Sequence, residues 1–250
     1  MKNKIIRYLI VLISVIAILF AFLRVISPSK KMNTYLAIGD YLSVSGNLKG
    51  EEIISFSSLL GDYFTNNNLV SNVNLNYTSY NVDSYTLLEM INKDAYSGED
   101  RGLVSLIKDS KYITISVGMN DIIEYIRFDS NKQQIVYDKE FIKRKLEIMK
   151  QNYYEIIDEI QSLNGEVCVY LLSYYCPFNL VDEQNRDNVS EVFAMLNESV
   201  KDVSVLMGVN YVDISNVSEE ENMFSKTQIY LNQFGQNNVF TNIKNTYFKD

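Results

Sequence analysis

Thr34-Tyr35-Leu36-Ala37-Ile38-Gly39-Asp40-Tyr41-Leu42-Ser43 is an apolar run that ends abruptly at Gly-Asp. The run Thr34–Ile38 reads as a buried strand, and the glycine marks its end. The same pattern recurs downstream. Tyr112–Val117 is β-branched and alternating, and it runs straight into Gly118-Met119-Asn120-Asp121. Between and after these strands lie longer amphipathic stretches. Strands that alternate with helices imply an α/β fold, a three-layer α/β/α sandwich around a mostly parallel sheet. Ligands of such sheets bind beyond the carboxyl ends of the strands. Gly39-Asp40 and Gly118–Asp121 are therefore expected on one rim.

The remaining elements fill in this alternation. Helices are expected at Ile53–Phe64, Ser84–Asn92, Leu103–Lys108, Lys139–Leu163, Asp187–Met207 and Gln233–Tyr247. The first should turn Ile54, Leu59, Leu60 and Phe64 inward. Ser84 is the expected cap of the second, and Asn164-Gly165 the stop of the fourth. Strands are expected at Val73–Tyr77, Val167–Tyr174 and Val209–Ile214. No internal repeat or low-complexity segment interrupts the pattern.

Ahead of the domain, Lys2, Lys4 and Arg7 precede an apolar run that continues to Ile26, with Arg24 near its end. That length suits one transmembrane helix, with the arginines snorkelling at its ends. The reading is an N-terminal anchor over 1–27, a polar linker over 28–33 and the domain over 34–250. Positive charge before the run places the N-terminus in the cytoplasm and the domain outside the cell membrane. A cleaved signal peptide is the alternative, although its small-residue cleavage pattern is not evident.

The 250 residues carry a formal net charge of -8, which argues against a nucleic-acid partner because no dense basic patch offsets it. Cys168 and Cys176 flank what reads as one strand. Eight steps of strand span roughly 26 Å, and a disulfide needs Cα atoms within about 7 Å. They are expected to be free and mostly buried. The chain has no histidine, so no metal cluster is expected and no cofactor is implied.

Four blocks spread over residues 34–247 together resemble the GDSL/SGNH hydrolases, esterases and lipases that work through a serine nucleophile. The first is Gly39-Asp40-Tyr41-Leu42-Ser43, where the family has Gly-Asp-Ser. The second runs from Asn76 to Leu88 and places Asn81 where a glycine backbone N–H serves the oxyanion hole. The third, Gly118-Met119-Asn120-Asp121, matches the family's Gly-x-Asn-Asp, whose asparagine donates to the oxyanion. The fourth, Thr227-Gln228-Ile229-Tyr230-Leu231-Asn232-Gln233-Phe234-Gly235, resembles Asp-x-x-His-Pro-Asn-x-x-Gly. Asn232 and Gly235 fit, while Thr227 stands at the aspartate and Tyr230 at the histidine.

The resemblance implies an SGNH, flavodoxin-like fold whose catalytic residues are degenerate. Among the family positions Tyr41, Asn81, Asn120, Thr227 and Tyr230, only Asn120 keeps the family residue. Nucleophile, base and base-orienter act as a unit, so losing all three removes the usual acyl transfer. The expectation is a pseudoenzyme binding a ligand at Asp40, Tyr41, Asn81, Asn120 and Tyr230. Its partners would be the membrane and a cell-wall glycan, a lipid or an envelope protein. The alternative is an active esterase or acetylhydrolase with a rearranged nucleophile: Ser43 or Ser45 with Asp40, Asp83 or Asp121 as base, or an activated Tyr41. Tyr41, Tyr77, Tyr80, Tyr85 and Tyr230 are expected near the rim. Aromatic faces of this kind pack on sugars, although the chain's bias toward tyrosine explains them equally.

Overall fold

The computed structural model describes residues 32–250, apart from 49, 98–101, 130, 132–133, 178–184, 218–219, 224–229 and 249–250. The expected anchor over 1–27, most of the linker, and Thr227 lie outside the described residues.

Strands β1 (Thr34–Gly39), β4 (Asn72–Thr78), β5 (Ser110–Ser116), β8 (Cys168–Leu172) and β9 (Asn210–Val212) form one sheet in the order β4-β1-β5-β8-β9. Every pairing in it is parallel. All six residues of β1 are buried, as a central strand covered on both faces must be. Helices α1 (Phe56–Asn66) and α7 (Gln233–Tyr247) pack on each other. Helices α2 (Ser84–Ser97), α3 (Leu103–Asp109), α5 (Lys139–Leu163) and α6 (Arg186–Met207) form a second packed group.

Helix α5 shows why these segments fold as they do. Asp138 caps it by accepting the Phe141 N–H at 3.0 Å. Ile142, Leu146, Met149, Tyr153, Ile156 and Ile160 then recur at steps of three and four and are all buried. Each buried side chain of this size contributes about 1.5–3 kcal/mol, which carries the helix despite its charged outer face. Asn164 ends it, and the Asn164 amide ties the end to the carbonyls of Ile107 and Ser110.

Several expectations need correction. The first helix begins at Phe56, because Glu51–Ile53 forms a short strand, β3, that pairs with Gly46–Leu48, β2. Ser55 is the cap, and Ile54 is 44% exposed rather than inward. Asp83, not Ser84, caps α2: its carboxylate accepts the Thr86 N–H at 2.7 Å. A second hairpin, β6 (Arg127–Asp129) with β7 (Gln134–Val136), precedes α5. Cys168 and Cys176 are free, as expected, but Cys168 is exposed at the start of β8.

Sheet register decides where the rim lies. Gly39 pairs with Thr78 on one side and Ser116 on the other, so the three central strands end level. The chain leaving them is stitched at once. The Asp40 N–H donates to the Ser116 carbonyl at 2.8 Å, and the Ser79 N–H donates to the Gly39 carbonyl at 2.9 Å. The Asp40, Ser79–Val82 and Gly118–Asp121 segments therefore emerge side by side.

Candidate active site

Gly39 and Gly118 shape this rim. A Cβ on Gly39 would sit 2.2 Å from the Ser116 Oγ and 2.5 Å from the Ser43 Oγ, so only glycine fits. Gly118 has φ 143°, a conformation that side chains rarely adopt. It turns the chain from β5 into α4 (Met119–Ile122), which presents Asn120 and Asp121.

Asp40 is fully buried beneath the rim. Its Oδ1 accepts the Leu42 N–H at 3.1 Å, which caps the 3-10 turn Tyr41–Ser43. Its Oδ2 accepts the hydroxyl of Tyr174, itself buried. Burial pushes the Asp40 carboxyl up to about 7, and the Tyr174 hydroxyl with the Leu42 and Met119 N–H groups pulls against that rise. Burial likewise raises the Tyr174 phenol well above its ordinary range.

Tyr41 stands where the serine of the resemblance would be. It is 6% exposed, and its ring meets Tyr230 edge to face with centroids 5.4 Å apart. Tyr80 continues the cluster, 6.2 Å from Tyr230. The Tyr41 hydroxyl is buried and completes no hydrogen bond of proper geometry with any described group. The Tyr175 hydroxyl is its near polar neighbour, a contact that falls short of full hydrogen-bond geometry, and burial is what chiefly raises Tyr41. A phenol so placed is a poor nucleophile, because its anion is disfavoured.

Asn120 and Asn81 meet in an unexpected way. Both amide hydrogens of Asn120 are engaged, donating to the carbonyls of Tyr80 at 3.0 Å and Val82 at 2.8 Å. The side chain thus clamps the carbonyls of the two residues that flank Asn81. Asn81 itself is exposed, and its backbone N–H donates to no group among the described residues. Among the described residues Asn68 is the one non-glycine with positive φ, so the Asn81 position makes no demand for glycine. Asp121 reinforces the clamp by accepting from the Ser84 N–H at 3.1 Å and the Ser84 Oγ at 2.5 Å. Burial raises Asp121 to about 6.

Tyr230 leads into the cap of α7. Asn232 accepts the Gly235 N–H at 2.9 Å and donates to the carbonyls of Glu221 and Met223. A Cβ on Gly235 would come within 2.4 Å of the Asn222 carbonyl, which accounts for that glycine. Tyr41, Asp40, Asn120, Asn81 and Tyr230 are thus gathered on one rim, linked through Tyr80.

The alternative nucleophiles are placed differently. Ser43 is buried and shares a 2.6 Å hydrogen bond with Ser116. The Ser45 Oγ donates to the Ser55 Oγ and shares a hydrogen bond with the Ser58 Oγ. Neither serine has a carboxylate partner among the described residues. Asp83 and Asp121 serve α2 instead. Tyr85 is 60% exposed on that helix. Sequence reasoning missed the buried tyrosines beneath the site, Tyr153, Tyr174 and Tyr175. Tyr153 donates to the Val117 carbonyl, directly under Gly118. The signal for Tyr174 and Tyr175 was the tyrosine pair just past the β8 run, which read as ordinary strand.

Comparison with known proteins agrees with this geometry. A model of the GDSL-like Lipase/Acylhydrolase family matches residues 54–236. The chain belongs to this family. Among solved structures, the lipase Lip_vut3 from a goat rumen metagenome superposes with TM-score 0.66 at 16% identity, over 86% of this chain and 98% of that one. The psychrotrophic esterase EstA from Pseudoalteromonas sp. gives 0.55 at 16% identity, over 86% and 96%. Axe2, an acetylxylan esterase from Geobacillus stearothermophilus, gives 0.56 at 14% identity, over 88% and 96%. No curated protein matches the chain by sequence. At these identities the GDSL-like neighbours establish a shared fold, the SGNH-like α/β sandwich.

Proposed function

We propose that this GDSL-like chain has left serine ester hydrolysis and works as a binding protein of the cell envelope. It is tethered by its N-terminal apolar run, with the domain outside the cytoplasm. Its ligand or partner, a glycan, a lipid or an envelope protein, meets the rim at Asn81, Asn120 and Tyr230, which lies over Tyr41 and the buried Asp40. One observation carries the reading: the nucleophile position holds a buried tyrosine ring packed on the tyrosine at the base position. Filling that space with ring leaves no room for an acyl carbonyl beside position 41, and no histidine exists to take a proton. Asn120, the retained oxyanion residue, spends both amide hydrogens on the backbone.

The neighbours are esterases and a lipase by description, so the competing outcome is ester hydrolysis through another group. Turnover of p-nitrophenyl acetate by the purified chain and its Asn120→Ala form separates the two. The proposal expects both to match the buffer rate. Sustained turnover that falls in Asn120→Ala would overturn it.

A further inference from the structure

Helix α7 carries a face unlike that of any other helix among the described residues. Asn238, Thr241, Asn242, Asn245 and Thr246 recur at helical spacing and line one wall of an open cavity of about 480 Å³. Asn216, Val217 and Asn222 line the facing wall. Asparagine and threonine are poor helix formers, weaker than the lysine and glutamate that solvated faces use. The chain's general richness in asparagine does not explain the stripe. Under the same composition, the outer face of α5 is built from Lys139, Glu140, Lys143, Arg144 and Glu147, while α7 carries Lys244 as its one charged residue.

The side chains of this cavity fall into two kinds. Asn238 and Asn242 are fixed by donating to the Asn222 Oδ1 at 2.5 Å and to the Asp213 carbonyl at 2.9 Å. The side chains of Asn216, Thr241 and Asn245 hydrogen-bond to no other group among the described residues. Rigid amides beside free amides and hydroxyls make a surface with donors and acceptors in both directions. Glu221 is the one charged residue of the lining among the described residues. That set suits neither an anion nor an apolar chain. It suits a ligand whose own groups both donate and accept, and that is uncharged.

We propose that this cavity is a second binding site, separate from the tyrosine rim, for a short segment of neutral polysaccharide. Its place in the fold couples it to that rim. The Asn222 carbonyl accepts the Asn232 N–H at 3.0 Å, and Asn232 caps the helix that follows Tyr230. Occupancy of the cavity therefore bears on the same turn that positions Tyr230. The inference stands whether or not the chain turns over esters.

The test is calorimetric titration of the full chain in phospholipid nanodiscs with neutral β-1,4-linked tetrasaccharides of glucose, xylose and N-acetylglucosamine, and with anionic tetragalacturonate. At least one neutral tetrasaccharide should bind saturably and tetragalacturonate should not. Asn216→Lys and Asn245→Lys change groups with no internal partners, so melting should be unaffected while affinity falls about tenfold or more. Tyr80→Ala, on the rim, should leave that affinity unchanged. Absence of binding below about 10 mM for every neutral probe would overturn the inference. So would indifference to both lysine substitutions, equal binding of tetragalacturonate, or loss of binding in Tyr80→Ala alone, which would place the sugar at the rim.

Discussion

Replacing Tyr41 by phenylalanine tests whether the nucleophile position has become core. The substitution removes one oxygen and keeps the ring contact with Tyr230 at 5.4 Å. That oxygen is buried and completes no hydrogen bond of proper geometry. An unsatisfied buried hydroxyl costs about 1–3 kcal/mol, so Tyr41→Phe should stabilise the fold by about 1 kcal/mol. For a domain of this size that raises Tm by about 2–4 °C. Tyr174→Phe is the matched control with the opposite sign. It deletes the hydroxyl that donates to Asp40 Oδ2 and should cost about 1–3 kcal/mol. Urea unfolding followed by tyrosine fluorescence and circular dichroism reads both. A Tyr41→Phe protein less stable by about 1 kcal/mol would show that this hydroxyl is bonded in solution, with Tyr175 the neighbour to examine. The reasoning from an orphaned phenol would then fail.

Two further predictions concern pH and topology. Asp40 and Asp121 are raised by burial from 3.8 to about 7 and about 6, so between those values the folded state holds protons that the unfolded chain has released. Their contribution is complete below about pH 4 and is lost as pH rises through about 7; unfolding midpoints should therefore fall from pH 5 to pH 8, and Asp40→Asn with Asp121→Asn should flatten that slope, whereas an unchanged slope would remove both groups from the account. An alkaline phosphatase fused after Lys31 should be active in a bacterial host, because charge before the apolar run sets the orientation; an inactive fusion with an active cytoplasmic reporter would reverse it.

The sequence was most legible where one period ran long. Lys139–Leu163 and Gln233–Tyr247 match the observed helices end to end, because each has a side-chain cap and buried residues recurring at helical spacing. The hairpins Gly46–Ile53 and Arg127–Val136 were not legible, since strands of three residues carry no usable period. Ile54 was misassigned for the same reason: it belongs to the end of a hairpin, and the helix rotates into phase only after Ser55. At the site, Gly39 and Gly118 marked the rim because backbone geometry there excludes a Cβ. Side-chain direction was not legible. Ser43 stood two residues from the nucleophile position and looked available, yet it turns inward to Ser116. Asn120 matched the family residue, yet its hydrogen bonds go to the carbonyls of Tyr80 and Val82 on either side of Asn81.

On the proposed function, no side chain on this rim acts as an acyl nucleophile. The direct measurement is intact-mass analysis of the purified chain after prolonged exposure to a reactive alkyl phosphonate ester, which phosphonylates activated hydroxyls. An unmodified mass is expected, because Tyr41 is buried with a raised phenol and Ser43 and Ser45 lack a carboxylate partner among the described residues. A stoichiometric adduct mapped to Tyr41, Ser43 or Ser45 would contradict it and identify the rearranged nucleophile.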